Sequence, residues 1–515
     1  MFFISVFIAI TAILVAYCKW IHTYWKRRGI PGPVGLPILG SYYDLADEKR
    51  PRCFTLHEWT EKFGKVFGYY EGSTPVLVVS DLDMLQEMFI KKFDCFYARK
   101  STNRIHGDLE SPEEEPRVHL FAARGARWKR LRALASPAFS VKALKQVHHT
   151  IEDSALQMMR HMEVHENTGA PFNIHEYYQE YTYDVISRLA MGQPESEQFN
   201  NEGVQIVNNI FARSNRTLPW YLTVVFPRFQ NFIKNWYFNH ESINGGNIGK
   251  LFLFIEKSVT ERIKERAENA RFGIENSQND FIDMFLDYYT ESEIHDEEFG
   301  KSPEKKVTAE DVIGSCFVFL LAGFDTTANA LAYASHLLAL HPEKMKLAQA
   351  EIDSVCTSPE ISYDEMSKLK YLDAVIKETL RIRPVGWFAC SRECVRTTTL
   401  GDIVVEKGVR VEADVAALHF SKDVWGDNAE EFEPERWLTP APRHTMSWIP
   451  FGAGPRQCVG MRMGMAEAKI ALAHLLRKWS IVAGPKTEKM LQIQGCTTTS
   501  PEKVSLYLKT RNKSG

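Results

Sequence analysis

Cys458 sits in the run Phe451-Gly452-Ala453-Gly454-Pro455-Arg456-Gln457-Cys458-Val459-Gly460. This is a glycine-punctuated loop that presents one cysteine just ahead of a helix-like stretch. Helix N-terminal N–H groups and a neighbouring Arg456 both favour negative charge, so the thiol is placed to act as a thiolate metal ligand or nucleophile. Gly452, Gly454 and Gly460 allow a flat group to approach the backbone. The same residues also suit a buried structural cysteine in a tight turn, and taken alone they leave both readings open. A second constellation is Ala322-Gly323-Phe324-Asp325-Thr326-Thr327. Here an acid and two hydroxyls interrupt an otherwise apolar stretch, and Gly323 weakens a helix by about 1 kcal/mol relative to Ala. Thr hydroxyls can bond back to preceding carbonyls and bend the helix, so a kink with satisfied polar groups is the alternative to chemistry. Glu378 and Arg381 stand at i, i+3 and share a helix face. Trp128 and Arg132 lie one turn apart within the basic run Arg124, Arg127, Lys129, Arg130 and Arg132, which by itself reads equally well as a solvated face.

Long helices must position these groups. The clearest begins at Thr308, where Asp311 three residues on resembles a capping box, and it stops at His341-Pro342. About 30 residues at 1.5 Å each span roughly 45 Å, enough to cross a whole domain, with Asp325 near the middle. A second helix covers about Tyr371 to Ile382, ahead of Pro384. A third, Ala466 to Trp479, follows the cysteine loop. Helical periodicity dominates from about 125 to 385, and short strand signals appear at Val76–Val79 and around Ile403 to Val411. The expected class is mainly α with small β-sheets, an α+β body.

The 515 residues are 44% hydrophobic and 25% charged, with a net charge of −3. Nothing in that balance points to nucleic acid. Nine cysteines, without a CxxC pair, argue against a disulfide framework or structural zinc and favour a reducing compartment. Met1 to Cys18 carry no charge, and Lys19, Lys26, Arg27 and Arg28 follow. We read residues 1–22 as a membrane anchor, since the basic residues come after the apolar run and keep the body in the cytosol. Residues 23–40 form a basic, Pro/Gly-rich strap that cannot be helical at Pro31–Pro37. Residues 41–515 form a single catalytic domain, with no interior linker or repeat. The sequons at Asn215 and Asn512 are expected to be bare. The aromatic stretch from Leu218 through Trp236 is core or a shallow membrane contact.

The cysteine loop fits F-x-x-G-x-R-x-C-x-G and resembles the haem-binding loop of cytochromes P450. Glu378-Thr379-Leu380-Arg381 resembles the family's E-x-x-R. Phe432-Glu433-Pro434-Glu435-Arg436-Trp437 resembles its P-E-R-F segment, with Trp437 where Phe is commoner. The 322–327 run is similar to the oxygen-activation motif, and the resemblance extends over the chain after the anchor. It implies the family's triangular helical body, with haem b between the long central helix and the cysteine-loop helix. It further implies Cys458 as axial thiolate and iron ligand, with Phe451 and Gly452 beside the cofactor. Trp128, Arg132, Arg392 and Arg456 are implied at the haem propionates, where arginine pairs well with carboxylate. Glu378, Arg381 and Arg436 are implied as a structural ion triad. Thr326 and Asp325 are implied to bond dioxygen and relay protons, and Gly323 to leave room over the haem. Lys129 and Arg130 are expected to face an acidic redox partner.

Phe54, Phe93 to Arg99 and Ala122 to Trp128 resemble the microsomal class, which includes vertebrate drug-metabolising enzymes and thromboxane synthase, and point to an invertebrate, nematode member. The implied reaction is monooxygenation of a lipophilic small molecule, xenobiotic, steroid or fatty-acid-like. Its electrons come from NADPH through NADPH-cytochrome P450 reductase, with cytochrome b5 as a further donor, at the endoplasmic reticulum membrane. Substrate-facing stretches are expected at 101–120, near Trp220, and at 317–322, 385–390 and 495–500. Two rivals keep the haem-thiolate: an isomerase or dehydratase that needs no reductase, and a non-catalytic lipid carrier or sensor. Both can dispense with the acid–alcohol pair that is present here.

Overall fold

The computed structural model describes residues 5–6, 12, 15–17, 20–99, 116–212, 214–226, 229–233, 236, 246–274, 280–294, 299–300, 303–439 and 441–511. Most of the apolar N-terminal run, most of the 101–120 stretch and Asn512 therefore lie outside the described residues.

An antiparallel pair, β1 (Val66–Glu71) and β2 (Thr74–Val79), starts the body. β2 then runs parallel to β4 (Arg410–Ala413), which pairs antiparallel with β3 (Ser391–Glu393), so the sheet order is β1-β2-β4-β3. The strap residues dock on this sheet. Trp25 is buried, with its indole N–H donating to the Tyr69 carbonyl at 3.1 Å, and Gly68 donates its N–H to Pro31 at 2.8 Å.

The helices that matter for the site are α1 (Gly125–Ala135), α2 (Ile174–Met191), α3 (Ala309–Leu340), α4 (Lys370–Ile382) and α5 (Met461–Lys478). At its start α3 carries the expected capping box: Thr308 Oγ1 accepts from the Asp311 N–H at 3.2 Å, and the Asp311 carboxylate accepts from the Thr308 N–H at 3.3 Å. Its end falls where Pro342 cannot continue it. The helix is long and apolar enough to cross a membrane, but most of it is buried inside the protein, as a core helix of a large domain is.

α2 packs along α3. Thr182 donates to the Phe324 carbonyl at 2.9 Å, and the Tyr178 and Ser335 hydroxyls bond at 2.6 Å. A short C-terminal hairpin of β5 (Ile493–Gln494) and β6 (Ser500–Pro501) reaches back to α3.

Candidate active site

α5 does not begin at Ala466 but at Met461, directly after the cysteine loop. The Cys458 N–H donates to the Phe451 carbonyl at 2.8 Å, closing the loop, and Gly454 turns it at φ +69°. A side chain at Gly454 would strike the Phe89 carbonyl, so only glycine fits. Cys458 is surrounded by protein, yet it is surface-accessible, which is what a thiol lining an internal void shows. Burial pushes the thiol up. The backbone N–H groups of Gly460 and Met461 and the charges of Arg99 and Arg132 pull the other way.

The second wall of the void is α3. In the mostly buried middle of this helix Val318, Ala322 and Thr326, each four residues apart, are accessible, together with Leu321 and Gly323. Gly464 of α5, one turn past Gly460, stands against Thr327, so the Thr326–Thr327 turn lies opposite the start of α5. Thr326 Oγ1 donates to the Ala322 carbonyl at 2.8 Å, the back-bond anticipated above. Asp325 is buried beside it, and burial raises its carboxyl to about 6, partly offset by a bond from Thr498 and by the nearby Asn329 amide. A Cβ at Gly323 would meet the Ile186 side chain at 2.9 Å, so this glycine lets α2 approach α3.

Four guanidiniums, Arg99, Arg132, Arg392 and Arg456, form one cluster, and Arg99 and Arg132 of it act on the thiol. Among the described residues none of Arg99, Arg132, Arg392 and Arg456 forms an ion pair. The Nε atoms of Arg99, Arg392 and Arg456 are buried without a partner. Burial lowers Arg99 to about 10 and Arg392 to about 9. Arg456 is driven well below its ordinary value by burial and by Arg99, Arg392, Arg124 and Arg132. Arg456 packs over Trp128 at 4.5 Å and donates to the carbonyls of Phe121 and Ala123. Such a cluster of mutually repelling cations calls for a polyanion.

The rest of the basic run is spoken for. Arg124 pairs with Glu393 at 2.8 Å. Arg127 and Arg130, both buried, hold the two Asp311 oxygens at 3.1 and 2.9 Å. Arg130 therefore faces no partner protein, contrary to expectation: the capping carboxylate of α3 draws it inward.

Glu378, Arg381 and Arg436 come together. Arg381 grips Glu378 through Nε and Nη2 at 2.9 and 2.8 Å, and Arg436 Nε donates at 2.8 Å. Trp437 adds an indole N–H bond to Glu378 at 2.9 Å, which a phenylalanine could not make. Rings then lead from Trp437 to Trp448 at 5.2 Å and on to Phe451 at 6.1 Å, reaching the cysteine loop. His419 makes a parallel link. Burial and Arg381 hold it near pKa 3, so it is neutral: Nδ1–H donates to the Arg381 carbonyl at 3.1 Å, and Nε2 accepts from the Ile449 N–H at 3.1 Å. Sequence reasoning missed Arg99, His419 and Trp448, because no local pattern marks them.

The family model described as Cytochrome P450 matches residues 30–506. The Caenorhabditis elegans protein named as cytochrome P450 cyp-13B1 is 68% identical over 99% of both chains. Two others from that nematode, named as cytochromes P450 CYP13A1 and CYP13A10, are 43% and 42% identical, covering 98% and 96% of this chain and 98% and 97% of their own. The chain belongs to the cytochrome P450 family, and the expected nematode affinity and α+β fold are borne out. The family's cofactor is haem b with a cysteine thiolate on its iron. The residues fit that group: an accessible thiol in a protein-walled void, with unpaired guanidiniums beside it for two carboxylates.

Proposed function

We propose that the chain is a haem-thiolate monooxygenase that inserts one oxygen atom from dioxygen into a lipophilic substrate. The observation that carries this reading is the acid–alcohol pair: Thr326 on a partly open face of α3, with Asp325 buried next to it. Haem bound through a thiolate supplies electron density that favours O–O cleavage. Cys458 holds the iron, and Arg99, Arg132, Arg392 and Arg456 with Trp128 hold the propionates. Thr326 exchanges its bond to Ala322 for one into the chamber. Asp325, with a pKa of about 6, both binds and releases a proton near neutral pH.

NADPH supplies the electrons through NADPH-cytochrome P450 reductase, with cytochrome b5 as a second donor. The chain sits at the endoplasmic reticulum membrane on its N-terminal anchor, body in the cytosol. Exposed Phe226, Phe229, Phe232 and Trp236 support a second membrane contact.

The test is a carbon monoxide difference spectrum of the dithionite-reduced full chain in microsomes. A strongly red-shifted Soret band is expected, and Cys458→Ala should abolish it. Thr326→Ala should keep the band while oxygen consumption uncouples from product. A folded wild-type chain without a haem signal would overturn the reading.

A further inference from the structure

Asp325 is a carboxyl with no cation beside it among the described residues. What meets it instead comes from two places far apart in sequence. Thr498, in the hairpin between β5 and β6, donates its hydroxyl to Asp325 Oδ2 at 2.6 Å. One turn along α3, Asn329 is fully buried, and its Oδ1 is already occupied. It accepts from the Ser500 hydroxyl at 3.0 Å and lies 2.8 Å from His175 Nε2 on α2. Burial lowers His175 to about 4, so the ring is neutral at working pH and donates from Nε2–H. With two donors fixed on its oxygen, the Asn329 amide cannot flip without turning a carbonyl towards a carboxylate. Its Nδ2, which donates to no other group, is turned towards Asp325. It lies close enough to stabilise the ion without closing a full hydrogen bond.

We propose that Thr498 and Asn329, oriented by Ser500 and His175, are positioning residues that set the ionisation of Asp325, tying the C-terminal hairpin to the acid of α3. The remaining ionisable groups nearby leave this to them. Tyr333 feels the Asp325 charge but is itself held protonated by burial, and Arg383 acts on Tyr333. Glu467 of α5 bonds Thr327 and stays protonated to about 8. Both donors favour the carboxylate, against burial, which favours the acid. Removing either keeps Asp325 protonated to higher pH.

The inference rests on Asp325 as the acid of the proposed reaction, but its test needs no turnover. The ferric holoenzyme is titrated and the carboxylic C=O infrared band followed, with Asp325→Asn subtracted to isolate the Asp325 signal. The wild-type midpoint is expected at about 6. Thr498→Val should raise it by roughly one pH unit, as loss of a hydrogen bond to a charged group implies. Thr498→Ser should restore it, and Asn329→Leu should raise it as well. Thr498→Ala serves as a second hydroxyl-free variant should the valine protein not load haem. A hydroxyl-free variant that melts earlier but titrates at the wild-type pH would overturn the proposal. So would a serine variant shifted as far as the valine one. Failure of oxygen insertion would sink the proposed reaction and leave this titration readable.

Discussion

Glu467 is the residue at which burial acts most plainly on charge. It is 2% exposed, and among the described residues its polar side-chain partner is Thr327. Burial raises its carboxyl from 4.5 to about 8. The folded protein thus holds this proton more tightly than the unfolded chain does between those two values. Stability conferred by the protonated form is present below pH 4.5 and is lost as pH rises through 8. Glu467→Gln should remove that dependence and raise the melting midpoint at pH 8 and above. The effect is bounded by about 5 kcal/mol, from a shift of between three and four pKa units. Melting of both proteins across pH 5 to 9 checks it, and parallel curves would show that the carboxyl titrates normally.

Between elements, the load falls on the Glu378 carboxylate. It takes Arg381 from its own helix, and Arg436 and Trp437 from the segment that follows, all near 2.8–2.9 Å. Removing one partner of such a buried pair leaves the others uncompensated, at a cost of about 3–5 kcal/mol. Glu378→Ala should therefore cost much of the fold and of haem retention. Trp437→Phe keeps an aromatic ring packed between Trp425 and Trp448 and loses the N–H. It should lower stability by about 1.5–3 kcal/mol. Thermal melts of the wild-type and Trp437→Phe holoenzymes decide this; equal midpoints would mean that the ring, not the bond, is what Trp437 contributes. The same logic explains Arg127 and Arg130: two guanidiniums and Asp311 lock α1 to the start of α3.

At the scale of the whole molecule, the outer face near the start of the body is apolar. Leu36, Ile38 and Tyr43 are exposed, as are Leu218, Phe226, Phe229, Phe232 and Trp236. Tyr42 meets Tyr221 edge-on, and Arg216 reaches the Tyr43 carbonyl at 2.9 Å, so the two stretches adjoin. Apolar surface of this kind, rich in aromatic rings, suits a lipid interface. A chain truncated before residue 23 should still sediment with phosphatidylcholine vesicles. Joint replacement of Phe229, Phe232 and Trp236 by Ser should release most of it. Full release by truncation alone would place all membrane affinity in the first 22 residues.

The local motifs were legible because their physics is local. A capping box and an i, i+3 ion pair depend on neighbours in sequence, so Thr308–Asp311 and Glu378–Arg381 could be read directly, while the glycine loop marked Cys458 but left two readings until the family resemblance decided between them. The helical class followed from periodicity, and α3 and α4 fell within a residue or two of their expected bounds. The family resemblance carried further, to the cofactor, to Arg436 beside Glu378 and to the nematode affinity. What it could not reach were contacts between segments hundreds of residues apart. Arg130 looked solvated until Asp311 came against it, 181 residues away. Gly323 carried no sign that Ile186 of α2 would pack against it. Thr498 lay in the 495–500 stretch expected to face substrate, and His175 carried no signal; a threonine and a histidine acquire a role at the acid only when packing places them at Asp325 and Asn329. Spacing along the chain determined which groups could do chemistry. Burial and charge pairing across the tertiary structure decided which of them face the site, and in what protonation state.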